Sequence, residues 1–144
     1  MSYDNPWLYN GIVVDAETLS NYTGFVYIIT NLTNEKKYIG KKLAKFSRTS
    51  TKTVTLKNGT KKKKKIRTKI DSDWQEYYGS NKDLQQDVLT LGPQNFRREI
   101  LRLCKSKGEC NYHEAKLQFA YGVLESDFYY NSWISVKVSR SHMK

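Results

Sequence analysis

The chain has 144 residues, 38% of them hydrophobic, and a formal net charge of +11, which bounds it to one domain, read as 1–144, with a modest core. No apolar run approaches a bilayer span, and the first residues lack the basic and apolar regions of a secretory signal, so a membrane partner is excluded and a cytoplasmic protein is expected. Cys104 and Cys110 are the only cysteines; they are read as reduced, and with His113 and His142 they make no recognised zinc spacing.

Residues 1–23 are polar and aromatic. Trp7, Tyr9, Ile12, Val13 and Val14 offer core contacts, so the segment reads as an extension covering a sheet. Phe25-Val26-Tyr27-Ile28-Ile29 and Lys37-Tyr38-Ile39-Gly40 are apolar runs on either side of a polar, Asn-rich segment, and residues 24–40 are expected to form an antiparallel hairpin. Residues 41–48 are short and basic and suit the start of a helix carrying Arg48.

Positive charge is concentrated in one stretch. Residues 36–70 hold fifteen Lys or Arg and no acid, while the rest holds ten basic and fourteen acidic residues, net −4. A one-signed field of this kind points to a polyanion, and an aromatic content of 13% favours nucleic acid over a membrane surface. Thr53-Val54-Thr55-Leu56-Lys57 and residues 60–66 flank Asn58-Gly59, a good two-residue hairpin turn. Residues 52–69 therefore read as a basic β-ribbon, within an insertion spanning 49–73. A disordered basic loop is the equal alternative, since Lys61, Lys62, Lys63, Lys64 and Lys65 repel one another along a lone strand. A ribbon could enter a DNA groove or lie along phosphates.

Residues 74–144 should hold the helices and remaining strands. Ser80, with Asp83 three residues on, suits a helix cap. Leu84, Val88 and Leu91 give that helix an apolar face, and Gly92-Pro93 ends it. Residues 96–104 read as a strand. Ser106 and Glu109 form a capping-box pattern that opens a helix carrying Glu114. At 100° per residue, Cys110, Leu117, Tyr121 and Leu124 share one face of it, with Glu114 at the edge. An unpaired carboxylate there is costly, and a divalent cation or a basic partner would offset the cost. The bland alternative is a packed stem with its head in water. Trp133 and the Ile134/Val136/Val138 alternation suggest a last short strand.

The spacing of the hairpin tyrosines carries a resemblance. Val26-Tyr27 is followed, eleven residues later, by Tyr38-Ile39-Gly40, with Arg48 eight residues beyond Gly40. Glu114 lies on a later helix, and Asn131 follows in Tyr129-Tyr130-Asn131. This ordered set, over residues 24 to about 131, resembles the GIY-YIG nuclease family, small domains that cut nucleic-acid phosphodiesters with a tyrosine-bearing hairpin and one metal-binding glutamate. Asp71-Ser72-Asp73-Trp74 through Tyr78-Gly79-Ser80 is similar to a stretch of phage-type members. One departure is plain: in Gly24-Phe25-Val26-Tyr27 the glycine sits one place early.

The resemblance implies roles. Tyr27 would take a proton from water, with Lys37 and Arg48 lowering its pKa. Arg48 would also grip the phosphate, since its planar fork suits non-bridging oxygens. Glu114 would hold Mg²⁺ or Mn²⁺ with waters completing the shell. Tyr38 would orient water or phosphate, and Asn131 would support the site from its edge. From the charge run itself, apart from the resemblance, Lys41, Lys42, Lys61, Lys62, Lys63, Lys64, Lys65 and Arg67 would bind nucleic acid.

The expectation is thus an α+β fold, a small antiparallel sheet flanked by helices, with an inserted basic β-ribbon or loop. The expected activity is metal-dependent cleavage of double-stranded DNA by a stand-alone enzyme, phage-type and acting in a host cell, or restriction-like. The competing class is a non-catalytic RNA- or DNA-binding protein, and a third is a structural nucleoprotein factor. A binder needs the lysines and not Glu114. One site per chain cuts one strand at a time, so a double-strand break requires a homodimer or successive nicks.

Overall fold

The computed structural model describes residues 5–135 and 140, with the side chains of residues 46–49, 67 and 69 outside that description. In chain order the elements are β1 (Leu8–Tyr9), β2 (Ile12–Val13), α1 (Ala16–Leu19), β3 (Gly24–Asn31), β4 (Lys37–Leu43), β5 (Lys45–Thr55), β6 (Lys61–Asp71), α2 (Lys82–Leu91), β7 (Phe96–Cys104) and α3 (Lys107–Ala120). Short 3₁₀ turns at Trp74–Glu76 and Pro93–Asn95 link them.

The α+β expectation holds. Five strands lie in the order β2-β1-β7-β3-β4, and β5 and β6 pair separately as a ribbon. The five-stranded sheet is antiparallel except where β1 runs parallel to β7. β3 is buried along its length, as a strand covered on both faces must be. Alternation sorts its side chains. Phe25, Tyr27 and Ile29 join Trp7, Trp74, Leu84 and Val88 in one core layer. Val26 and Ile28 join Ile39, Cys104, Cys110 and Val123 in the other, beneath α3. β4 is the free edge of the sheet, and its register with β3 sets Tyr27 opposite Gly40 and Ile29 opposite Tyr38.

The helix expected at 41–48 is a strand. β4 runs on to Leu43, and β5 begins at Lys45 and pairs residue for residue with β6 as far as Lys45 opposite Asp71. Phe46, and Thr49, Thr51, Thr53, Val54 and Thr55 further along β5, suit a pleated surface better than a helix. The ribbon is thus longer than expected, and Arg48 stands in β5 opposite Thr68. Its tip is a longer loop than a two-residue Asn-Gly turn. Leu56 and Thr60 close it with an N–H···O bond of 2.7 Å, and only Gly59 takes a positive φ, +85°. The Asn58 side chain accepts from the Thr60 N–H at 2.9 Å, a local bond that holds this loop.

Other local expectations shift slightly. Asn81, not Ser80, caps α2, accepting from the Leu84 N–H at 3.0 Å. Ser106 caps α3 as expected, and the Glu109 carboxylate reaches back to the Lys105 N–H at 3.1 Å. α3 ends at Ala120, so Tyr121 and Leu124 fall past it and stay exposed, while Ala115 and Gln118 join Cys110 on its buried side. Residues 131–135 form no strand, and 136–139 lie outside the described residues. Trp7 and Val14 reach the core, but Ile12 and Val13 do not. No helix among the described residues is long and apolar enough to cross a membrane.

One buried cation organises the Tyr27 side of the sheet. Arg98 on β7 lies between the rings of Trp7 and Tyr78, 4.7 and 4.2 Å from their centroids. It donates to the carbonyls of Tyr77 and Asn5. Burial lowers its pKa to about 9, so it stays a cation at neutral pH. It thereby ties the 77–79 segment over Tyr27.

Candidate active site at the edge of the sheet

The β4 edge would expose unpaired backbone groups. The chain after α3 covers part of it. The Lys37 N–H donates to the Phe128 carbonyl and the Tyr130 N–H to the Lys37 carbonyl, each at 2.7 Å. The Asn131 side chain then takes the next position. Its oxygen accepts from the Ile39 N–H at 3.0 Å and its amide donates to the Ile39 carbonyl at 2.8 Å. Gln118 donates to the same carbonyl at 2.8 Å. Beyond Ile39, Lys41 lies beside the Glu114 carboxylate.

A polar cleft of about 310 Å³ opens at this edge, lined by Tyr38, Lys41, Ser80, Glu114, Asn131 and Trp133, among others. A smaller one adjoins it at Lys41, Asn111, Glu114 and Ser135. Glu114 therefore faces both. Burial raises its pKa above the ordinary carboxylate value, with the charge and backbone N–H of Lys41 opposing that shift. Among the described residues no ion pair reaches it. A carboxylate held out of water beside a polar cleft, with no paired cation, is an arrangement that favours a positive ligand.

Tyr27 lies one layer beneath the cleft. It is 0% exposed, and its hydroxyl has no hydrogen-bond partner of normal geometry among the described residues. Its ring packs edge-on against Trp7 and Tyr77, at centroid distances of 5.3 and 5.9 Å. Two glycines make room for the hydroxyl. A Cβ at Gly40 would come within 2.6 Å of it and 2.8 Å of the Tyr38 ring, and one at Gly79 within 3.6 Å of it. Gly79 also has φ +92°, where a side chain is strained. Burial pushes the Tyr27 pKa well above 10, with Tyr77, Tyr38 and Glu114 adding to the rise. The Tyr38 hydroxyl reaches the cleft and shares a 3.1 Å hydrogen bond with Ser80, and burial raises its pKa too.

The expected residues thus divide. Tyr38, Lys41, Glu114 and Asn131 share one cleft, with Tyr27 directly behind it. Lys37 does not approach Tyr27. It pairs with Thr30, three residues along the strand from the Tyr27–Gly40 pair, and its ammonium reaches the Glu35 carbonyl. The reason is the pleat: odd-numbered β4 positions face away from Tyr27. The lowered pKa expected for Tyr27 is likewise replaced by a raised one, because burial outweighs any nearby cation. Lys42 is the β4 cation on the Tyr27 face; it bonds Asp73 at 2.6 Å and lies 4.2 Å over the Tyr77 ring. Lys61 to Lys65 are exposed on β6, away from the lining of the cleft. The side chains of Arg48 and Arg67 lie outside the described residues.

Sequence reading missed Trp133 as a cleft residue and Gln118 as an edge clamp. A Gln amid the apolar side of α3 was the available signal for the second. Trp133 gave none, since its place depends on how the chain returns along β4. The Asn131 clamp leads to an expected result. Asn131→Asp would set a carboxylate against the Ile39 carbonyl and lose a donor, costing about 1–3 kcal/mol. Thermal melts should show a fall of several degrees; an unchanged melt would mean the clamp adds nothing.

Comparison with known proteins follows this geometry. Residues 7–134 match the family model described as "Putative endonuclease segE, GIY-YIG domain". The chain is also similar to "Putative endonuclease segE" of Enterobacteria phage T4, 33% identical over 107 residues, covering 74% of this chain and 39% of that protein. It therefore spans well under half the length of that curated relative. No solved structure matches.

Proposed function

This chain belongs to the GIY-YIG endonuclease family, and on that footing we propose that it hydrolyses phosphodiester bonds of double-stranded DNA with the help of a divalent cation. The observation that carries the reading is Glu114, a half-buried, unpaired carboxylate facing the cleft that Tyr38, Lys41 and Asn131 also line.

The donor set suits a hard cation. No cluster of three or more His, Cys, Asp or Glu side chains gathers among the described residues, and Glu114 is the one such side chain among those lining the cleft. Mg²⁺ is commonly held by one or two carboxylates, keeping waters and substrate oxygens in the rest of its shell. Such an ion, when bound, stabilises charge on the phosphoryl oxygens.

The chain's own residues have compatible tasks. Lys41 would attract the phosphate while countering the Glu114 charge. Tyr38 and Ser80 would orient water or a phosphate oxygen through their hydroxyls. Asn131 acts through the backbone of Ile39 and is a positioning residue. Tyr27 would be the proton-transfer group. Its phenol is protonated in the free protein, so accepting a proton needs positive charge drawn into the cleft and a small opening at Tyr38 or the 77–79 segment. Arg48 is proposed as a further phosphate contact from β5.

Supercoiled plasmid tests the reading directly. Nicked circles are expected with Mg²⁺ or Mn²⁺ and none with EDTA. Linear product arising only after nicked circles would favour successive nicks over a paired enzyme. Binding without conversion under any condition would favour the non-catalytic alternative.

Trp133 supplies a test independent of cleavage. It is 70% exposed at the lip of the cleft, whereas Trp7 and Trp74 are 1% and 5% exposed. Acrylamide quenching should thus report mainly on Trp133. DNA added in EDTA should protect it, and Trp133→Phe should remove that response. Unchanged quenching at saturating DNA would put the DNA elsewhere.

A further inference from the structure

The ribbon has two chemically different faces. In the β5–β6 register Thr55 stands opposite Lys61, Thr53 opposite Lys63 and Thr51 opposite Lys65. Directly opposed residues share a face, and successive residues alternate between faces. One face therefore repeats a threonine–lysine pair three times. The other holds Val54 opposite Lys62, Lys52 opposite Lys64 and Ser50 opposite Ile66. It mixes a like-charge pair with apolar side chains, and Val54 and Ile66 are its half-buried members. β-propensity explains threonine in β5, but not why every second position has it while Lys52 and Val54 fall between.

We propose that the face of Thr51, Thr53, Thr55, Lys61, Lys63 and Lys65 follows the sugar–phosphate backbone of one DNA strand, each threonine–lysine pair meeting one phosphate. The inference rests on the reading of the chain as a DNA nuclease and assigns it a backbone-tracking arm. Lysine and threonine are both common phosphate contacts. Directly opposed residues have Cβ atoms about 4.5–5.5 Å apart, so a hydroxyl and an ammonium can reach one group. Pairs repeat every second residue, about 6.6–6.8 Å, which is close to the separation of neighbouring phosphates along a strand. All six residues are exposed, and no acid lies within residues 36–70 to compete. The ribbon leaves the main sheet at Ala44, three residues after Lys41 of the cleft. A backbone held along it would thus continue from the cleavage site, and its contacts would set position rather than sequence.

Charge-matched variants of the full chain test this. Binding of a fluorescent duplex is followed by anisotropy in EDTA across a salt series. Lys61→Ser with Lys63→Ser should weaken binding at least about tenfold at moderate salt. It should also flatten the log K against log salt slope by about 0.9 for each phosphate no longer neutralised. Lys62→Ser with Lys64→Ser removes the same charge from the other face and should weaken binding clearly less than the first pair does. Thr51→Val, Thr53→Val and Thr55→Val together keep charge and β-propensity, and should weaken binding several-fold with the slope unchanged. Circular dichroism would check that each variant keeps its strands. Equal losses from the two lysine pairs would overturn the facial assignment and leave only bulk charge. No loss from any variant would overturn the arm itself, while plasmid cleavage by the same proteins would keep the nuclease reading. Facial asymmetry without cleavage by the wild-type chain would do the reverse.

Discussion

Glu114→Gln is expected to lower plasmid cleavage at least about a thousandfold, since an ion held there would contribute several kcal/mol to charge stabilisation. DNA binding in EDTA should change little, because Glu114 is proposed as a cation ligand and not as a phosphate contact. Glu114→Ala should behave the same way. Stability should not fall with activity. The Glu114 pKa is raised in the folded protein, so the folded state holds a carboxylate less readily than the unfolded chain does. That cost is absent below the unfolded pKa and is fully felt once pH rises through the folded pKa. The neutral glutamine removes it, so the variant should melt at or above the wild-type temperature at neutral pH. Protons would compete with the proposed cation for this carboxylate, so cleavage at limiting Mg²⁺ should fall at acid pH and recover as Mg²⁺ is raised. Full activity in Glu114→Gln, or an equal loss of binding, would remove Glu114 from the cation site.

Tyr27→Phe should reduce cleavage at least about a hundredfold, the scale of losing a proton-transfer group. The ring stays, and with it the packing against Trp7 and Tyr77. The hydroxyl it removes is buried with no hydrogen-bond partner of normal geometry among the described residues, so stability should be equal or slightly greater. Activity lost with stability retained is the signature of a functional phenol. Activity retained would make Tyr27 a packing residue and leave Tyr38 as the phenol that faces DNA. Tyr38→Phe separates the two, since only Tyr38 opens directly on the cleft and bonds Ser80.

The pattern of the chain specified much of this. Apolar runs on either side of an Asn-rich turn specify the β3–β4 hairpin, and the continuous run of residues 25–29 suits a strand buried on both faces. Ser106 and Glu109 mark the start of α3 through local hydrogen bonds that need no tertiary partner. The run of lysines declares a polyanion partner through charge alone. The ribbon register, by contrast, decides which lysines share a face, and a flat, two-sided polar strand specifies register weakly. The fate of 41–48 was equally hidden: a short basic stretch suits a helix start, and only pairing with β6 makes it a strand.

The site itself is a tertiary product. Tyr27 and α3 lie on opposite faces of the sheet, so no spacing in the chain indicates that Tyr38 and Glu114 line one cleft. They meet because β4 is the edge strand and both faces can reach around it. Asn131 and Gln118 then occupy the backbone groups that an edge would leave unpaired, and Glu114 lines the cleft with Lys41 beyond them. Burial also reverses the ionisation expected for Tyr27. A phenol beside Lys37 and Arg48 should lose its proton more readily, yet one enclosed by Trp7, Tyr77 and two glycines keeps it, because desolvation dominates.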